Sequence, residues 1–196
     1  MKANKVKALF NRNSIFIAMI VMMVSACSQQ PEDTKEVAED RNDEKFETNK
    51  SEKDAQFLVN AAEINLMEIQ LGQLAASKAT AQDVKDLGTM METEHSKSLE
   101  DLKALAAKKS VSLPTSATED GQDHYKKLAD KTGNDFDKDF CDMMVDGHKN
   151  AIEKFEKAST DSEDAEIKEW ATATLPALRN HLDHALTCQE KAKNNK

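Results

Sequence analysis

The chain of 196 residues carries 27 lysines and arginines against 36 aspartates and glutamates, a formal net charge of −9. Such a surface repels phosphate backbones and anionic lipid headgroups, which argues against a nucleic-acid partner. Five glycines, three prolines and few β-branched runs point to an all-helical domain and away from a sandwich or barrel.

Residues 1–12 hold Lys2, Lys5, Lys7 and Arg12 and no acid, and an apolar run from Ile15 to Val24 follows. The run is too short to cross a bilayer as a stable helix and suits the core of a secretory signal. It ends in Val24-Ser25-Ala26-Cys27, which resembles the bacterial lipoprotein box. Small side chains at 25 and 26 fit the signal peptidase, and the Cys27 thiol takes the diacylglycerol. Ser28 in the following position resembles the signal for transfer to the outer membrane. Residues 1–26 are therefore expected to be removed, leaving an outer-membrane lipoprotein that faces the periplasm. Its membrane partner is reached through acyl chains (palmitate among them), each buried methylene adding about 0.8 kcal/mol. Loss of the leader's four basic residues takes the net charge to −13.

From Cys27 to Lys50 the chain is mostly Gln, Glu, Asp, Lys, Asn and Thr, relieved by Val37, Ala38 and Phe46. It offers too little apolar surface to fold, so a disordered acidic tether is expected over 27–50. Residues 51–196 remain for one compact domain.

Apolar periodicity predicts four long helices, at 52–78, 82–109, 135–159 and 164–192. Asp54, Asp83 and Asp137 stand near helix starts, where negative charge meets the positive end of the dipole. Short turns at Ala79-Thr80 and Thr160-Asp161-Ser162 make each pair an antiparallel hairpin. An internal echo at an offset of 83 relates the pairs: Asp54 to Asp137, Phe57 to Phe140, and Asp83-Val84-Lys85-Asp86-Leu87 to Glu166-Ile167-Lys168-Glu169-Trp170. Between them, Ser110 to Asn134 is long enough to cross the bundle lengthwise and includes a short helix at 124–131. The expected fold is a ferritin-like antiparallel four-helix bundle of two repeated hairpins. Pro176 removes a backbone hydrogen bond inside the last helix and should kink it.

The series Phe57, Ala61-Ala62, Glu68, Leu71-Gly72 and Leu74-Ala75, then Val84-Lys85, Met91 and His95, is followed by Phe136-Asp137, His148, Leu175-Pro176 and His181. In order and spacing it resembles the domain-of-unknown-function family numbered 4142, over about residues 52–192. The resemblance implies an exported ferritin-like bundle, and it implies no activity.

Each long helix carries one polar residue on its apolar face: Glu68, His95, His148 and His181. A buried carboxyl or imidazole without a partner is costly, so the four should meet one another, water or a metal ion. Two readings follow. The first is a non-catalytic lipoprotein, a binding or stress-related module in which the four form a hydrogen-bonded network that fixes helix register. The second is a metal-binding or redox bundle holding copper, zinc or iron, with Met91 and Met144 as soft ligands one turn before their histidines. Methionine is also a common core filler. A di-iron ferroxidase needs Glu-x-x-His on two helices; Glu92 to His95 supplies one, and Leu175 to Leu178 supplies none. His124, His184, Glu63 and Asp146 read as surface groups, and Gly72, Gly88 and Gly147 as points of close helix approach. Cys141 and Cys188, left over in an oxidising envelope, invite pairing. Counting from the turn staggers them by about 7.5 Å, beyond ideal disulfide reach unless Pro176 skews its helix.

Overall fold

Six α-helices and no strand occur among the residues described by a computed structural model, 33–46 and 48–194. Cys27 and the leader lie outside the described residues. The helices are α1 (Thr34–Asp43), α2 (Asn49–Lys78), α3 (Gln82–Lys109), α4 (Glu119–Ala129), α5 (Gly133–Asp161) and α6 (Ala165–Asn194). Their starts are set by side chains that accept from amides with no helical partner. Asp33 takes the Lys35 amide at 2.7 Å, Thr48 that of Ser51 at 3.3 Å, and Thr118 that of Gly121 at 3.3 Å. The Thr118 cap is why α4 begins at Glu119, earlier than its apolar pattern suggests. At the end of α3, Ser110 takes the left-handed conformation (φ 58°), and the Val111 amide returns to the Ala106 carbonyl at 2.9 Å. This is a Schellman closure with serine where glycine is usual. Helix α6 runs through Pro176, whose ring is exposed.

The long helices form a helical bundle in which α2 packs along α3 and α5 along α6, with lesser contacts from α2 to α5 and α3 to α6. Gly72 and Gly88 bring the first pair together. A Cβ on Gly88 would stand 2.7 Å from the Gly72 carbonyl oxygen and 2.8 Å from the Ala76 nitrogen. The core divides in two. One apolar cluster gathers Leu58, Leu99, Leu102, Phe155, Ile167 and Leu178 with their neighbours. The other gathers Leu71, Val84, Met91, Phe136, Phe140 and Met144, together with Cys141 and Cys188. Between them, on every long helix, lies a polar residue: Asn65 and Glu68 on α2, His95 on α3, His148 on α5 and His181 on α6, all buried. The bundle therefore carries a polar layer clamped between two apolar ones.

Three expectations need correction. The acidic segment is not a featureless tether, since α1 occupies Thr34–Asp43 and buries Ala38 and Asn42. Hydrogen bonding holds it where apolar area does not. Asn42 exchanges two hydrogen bonds with the backbone of Ser112 (3.0 and 2.7 Å), and Lys35 Nζ meets Glu63 Oε2 at 2.8 Å. Glu63 is accordingly no free surface charge, because its other oxygen accepts from Thr118 Oγ1 at 2.9 Å. Asp54 and Asp137 do more than favour their own helix dipoles. Asp54 Oδ2 accepts from the amides of Glu163 and Asp164 (3.2 and 3.0 Å), at the turn into α6. Asp137 accepts from the amides of Thr80 and Ala81 (2.9 and 2.8 Å) and from the Thr80 hydroxyl, at the turn into α3.

Cys141 and Cys188 are bonded as a disulfide between α5 and α6, with Cα atoms 5.7 Å apart. The two helices thus bring them closer than counting residues from the turn implies.

Candidate metal centre

His95, His148 and His181 converge at the centre of the polar layer, exposed by 3, 1 and 3 %. One ring nitrogen from each lies within 4.8 Å of the other two. The rings stand edge to face or tilted, with centroids 5.2–5.6 Å apart, so no two stack.

The second nitrogen of each ring is tied to an oxygen outside the cluster. His95 Nδ1 meets Asn65 Oδ1 at 3.0 Å. The Asn65 amide cannot turn round, because its Nδ2 donates to the Ala61 carbonyl at 2.8 Å. His148 Nδ1 donates to the Met144 carbonyl at 2.8 Å, a group that can only accept. His181 Nε2 donates to the Glu94 carboxylate at 2.7 Å. These partners fix all three tautomers, with a hydrogen on each outward nitrogen and a lone pair on each inward one. His95 Nε2, His148 Nε2 and His181 Nδ1 therefore point bare lone pairs at a shared space. His95 Nε2 is buried with no hydrogen-bond partner among the described residues. With all three rings in their neutral form, the 3.3 Å approach of His148 Nε2 to His181 Nδ1 is a meeting of two acceptors.

Electrostatics disfavour a charge on two of the rings. Burial, then the neighbouring imidazoles, hold His95 well below the usual histidine range. Burial pulls His148 down to about 4 against the bond to Met144, which pulls the other way. Three imidazoles whose far nitrogens are held by oxygens form the donor set that zinc and copper sites use. The donors present fit a late first-row ion. A cleft of about 460 Å³ between α3 and α6, lined by Glu94, His95, Lys97, Phe155, Trp170 and His181 among others, opens onto two of the rings.

The other expected ligands stand elsewhere. Glu68 is buried beside His148, but its Oε1 lies 4.0 Å from Nδ1, the nitrogen that faces away from the cluster. Burial raises its carboxyl to about 8, so this contact joins two neutral groups and is no ion pair. Met91 and Met144 pack into the apolar cluster containing Leu71 and Phe140. What Met144 gives the centre is its backbone carbonyl. Glu92 accepts from Gln73 at 3.0 Å, and the neighbouring Glu94 serves the cluster. His184 is exposed, and His124 lies 3.8 Å from Asp120 on α4, away from the triad.

Sequence reasoning missed Asn65 and Glu94. Asn65 had a signal, as an amide on the buried side of an apolar helix, three residues before Glu68. Glu94 had none, because it is exposed and its partner sits 87 residues away.

Comparison with known proteins finds no match among curated proteins and none among solved structures. One family model does match, over residues 39–187, and so takes in the end of α1, helices α2 to α5 and most of α6. The chain belongs to the family described as a domain of unknown function, DUF4142.

Proposed function

We propose that this protein is an envelope lipoprotein whose bundle holds one late first-row transition-metal ion, zinc or copper, on His95, His148 and His181. The observation that carries the reading is the convergence of three lone pairs whose tautomers are set from outside. A self-satisfied hydrogen-bond network, the competing reading, would place at least one proton inside the triangle. Here Asn65, the Met144 carbonyl and Glu94 draw all three outward. A cation relieves that mutual repulsion, and Glu94 supplies compensating negative charge one hydrogen bond away. With no carboxylate in the triad, oxygen-rich di-iron chemistry is disfavoured.

We also read the scaffold as ferritin-like, built from two copies of one hairpin. Its support is the reciprocity of Asp54 and Asp137. They lie 83 residues apart, and so do the turn amides they accept from, at 80 and 81 and at 163 and 164. In this reading Cys27 carries the lipid, and Cys27→Ser moves the protein from the membrane fraction to the soluble one.

The metal test uses full-length protein purified without a histidine tag and titrated with Zn²⁺ and, under reducing conditions, with Cu(I). One ion should bind per chain and raise the melting temperature. Saturation at a hundredfold over Kd corresponds to about 2.7 kcal/mol of added stability. A His95→Ala, His148→Ala variant should lose both effects. Protein whose melting ignores both ions refutes the proposal.

A further inference from the structure

A second cleft, of about 420 Å³, lies between α2, α4 and α5. Its floor is apolar: Ile64, Met67, Leu71, Met143, Met144 and Ala151. Its rim is acidic, with Asp120, Asp139, Asp142 and Asp146 facing a single lining lysine, Lys154. An acidic rim alone is ordinary on a chain of this charge. The wall is not ordinary, because Glu68 lines it while 1 % exposed, and its Oε2 has no hydrogen-bond partner among the described residues. Gly147 makes room for that carboxyl, since a Cβ there would stand 3.0 Å from Glu68 Oε1. An unpartnered buried carboxyl oxygen on the wall of a cleft is a group built to meet something.

We propose that this cleft binds a small primary alkylammonium ion, its NH₃⁺ on Glu68 Oε2 and its chain along the methionine-rich floor. The observations select this chemistry stepwise. The rim calls for a cation, and steering by carboxylates raises its local concentration. A hard divalent ion wants six or more oxygens, and the floor supplies none beyond Glu68. The rim is partly engaged too, with Asp139 on Lys131 at 3.0 Å and Asp142 on Gln189 at 2.7 Å. An alkylammonium ion needs an open acceptor oxygen for its head, which the carboxyl of Glu68 keeps even when protonated, and an adaptable apolar surface for its methylenes, which methionine side chains provide. The site is independent of the histidine triad, for the His148 ring stands between them with Nδ1 toward Glu68 and Nε2 toward the triad.

The test titrates full-length protein with butylamine, pentylamine and hexylamine by calorimetry, with 1-hexanol as the uncharged control. Saturable one-to-one binding is expected, tightening about fourfold per added methylene, with hexanol not binding. Glu68→Gln should weaken hexylamine at least tenfold while leaving the far-UV spectrum and zinc binding at the triad unchanged. Asp146→Lys, at an exposed position that cannot threaten folding, should weaken it severalfold at low salt and less at high salt. Hexylamine binding that is absent, insensitive to chain length or untouched by Glu68→Gln overturns the proposal. A second equivalent of Cu(I), bound here in competition with hexylamine and lost in Met143→Leu, overturns it in favour of a thioether metal site.

Discussion

Replacing Asn65 with leucine tests whether the amide behind His95 sets the centre. Asn65 is a buried fork, donating to the Ala61 carbonyl at 2.8 Å and accepting from His95 Nδ1 at 3.0 Å. Leucine has similar volume and no polar atom, so the cavity term is small. In the metal-free protein His95 is then free to change tautomer, moving its hydrogen from Nδ1 to Nε2. The hydrogen now points at the bare acceptors of His148 and His181, which relieves their repulsion and blocks the ion. Two effects of very different size follow. Metal-free stability changes little, because a buried Nδ1 loses its partner (about 1–3 kcal/mol) while Nε2 gains one. Zinc affinity falls about 10- to 100-fold, the range for losing an outer-shell partner, which equals about 1.4–2.7 kcal/mol. Competition against a chromophoric chelator measures the second quantity and urea unfolding in chelator the first. Should affinity stay within twofold of wild type, tautomer control by Asn65 is wrong.

Three further outcomes follow from the same geometry. Asp137→Ala strips three donors of the turn into α3 of their acceptor at a site 2 % exposed, and should cost about 2–4 kcal/mol in urea unfolding; a loss under 0.5 kcal/mol contradicts the capping role. Gly88→Ala drives a methyl against backbone atoms of α2 that cannot move aside, so the melting temperature should drop steeply, by about 1–3 kcal/mol of stability or more. A neutral effect would mean that the helices slide apart freely. Glu68 keeps its proton to about pH 8 in the folded chain but releases it near 4.5 when unfolded, so the unfolded state binds fewer protons across that window. Below about 6.5 the buried His95 and His148 push the other way, since their unfolded counterparts bind protons there, so metal-free stability should decline as pH rises from about 6.5 to 8, by up to about 1.4 kcal/mol per unit from Glu68, and Glu68→Gln should flatten the decline.

The long helices were legible because their apolar faces repeat with the helical period over many turns. Each bound falls within three residues of the range expected from pattern alone. Helix α1 was illegible for a related reason. It buries little apolar area, and what secures it, the Asn42 amide on the Ser112 backbone and Lys35 on Glu63, spans partners 70 and 28 residues apart. Composition cannot register a fold made by a few long-range polar contacts. The carboxylates of Asp54 and Asp137 fall in between: their matching positions were visible in the echo, but a helix-dipole role was the local guess, and the partner turns lie on the other helix pair.

The centre divides along the same line. Periodicity found the histidines, because a polar residue in an apolar seam is anomalous within its own helix. It could not separate the members of the triad from their neighbour, and so it ranked Glu68 with them. That distinction depends on which ring nitrogen faces which way, and this is decided by Asn65, the Met144 carbonyl and Glu94 on three different helices. The same fact makes the triad unlike a structural polar layer. A layer that only fixes register gains by satisfying every polar atom internally, whereas here Asn65 is held rigid by Ala61 and leaves His95 Nε2 unsatisfied. Leaving a buried acceptor bare costs about 1–3 kcal/mol that a single tautomer change could recover. Under the proposed metal-binding reading, a scaffold that blocks that change from outside keeps all three lone pairs available to an ion.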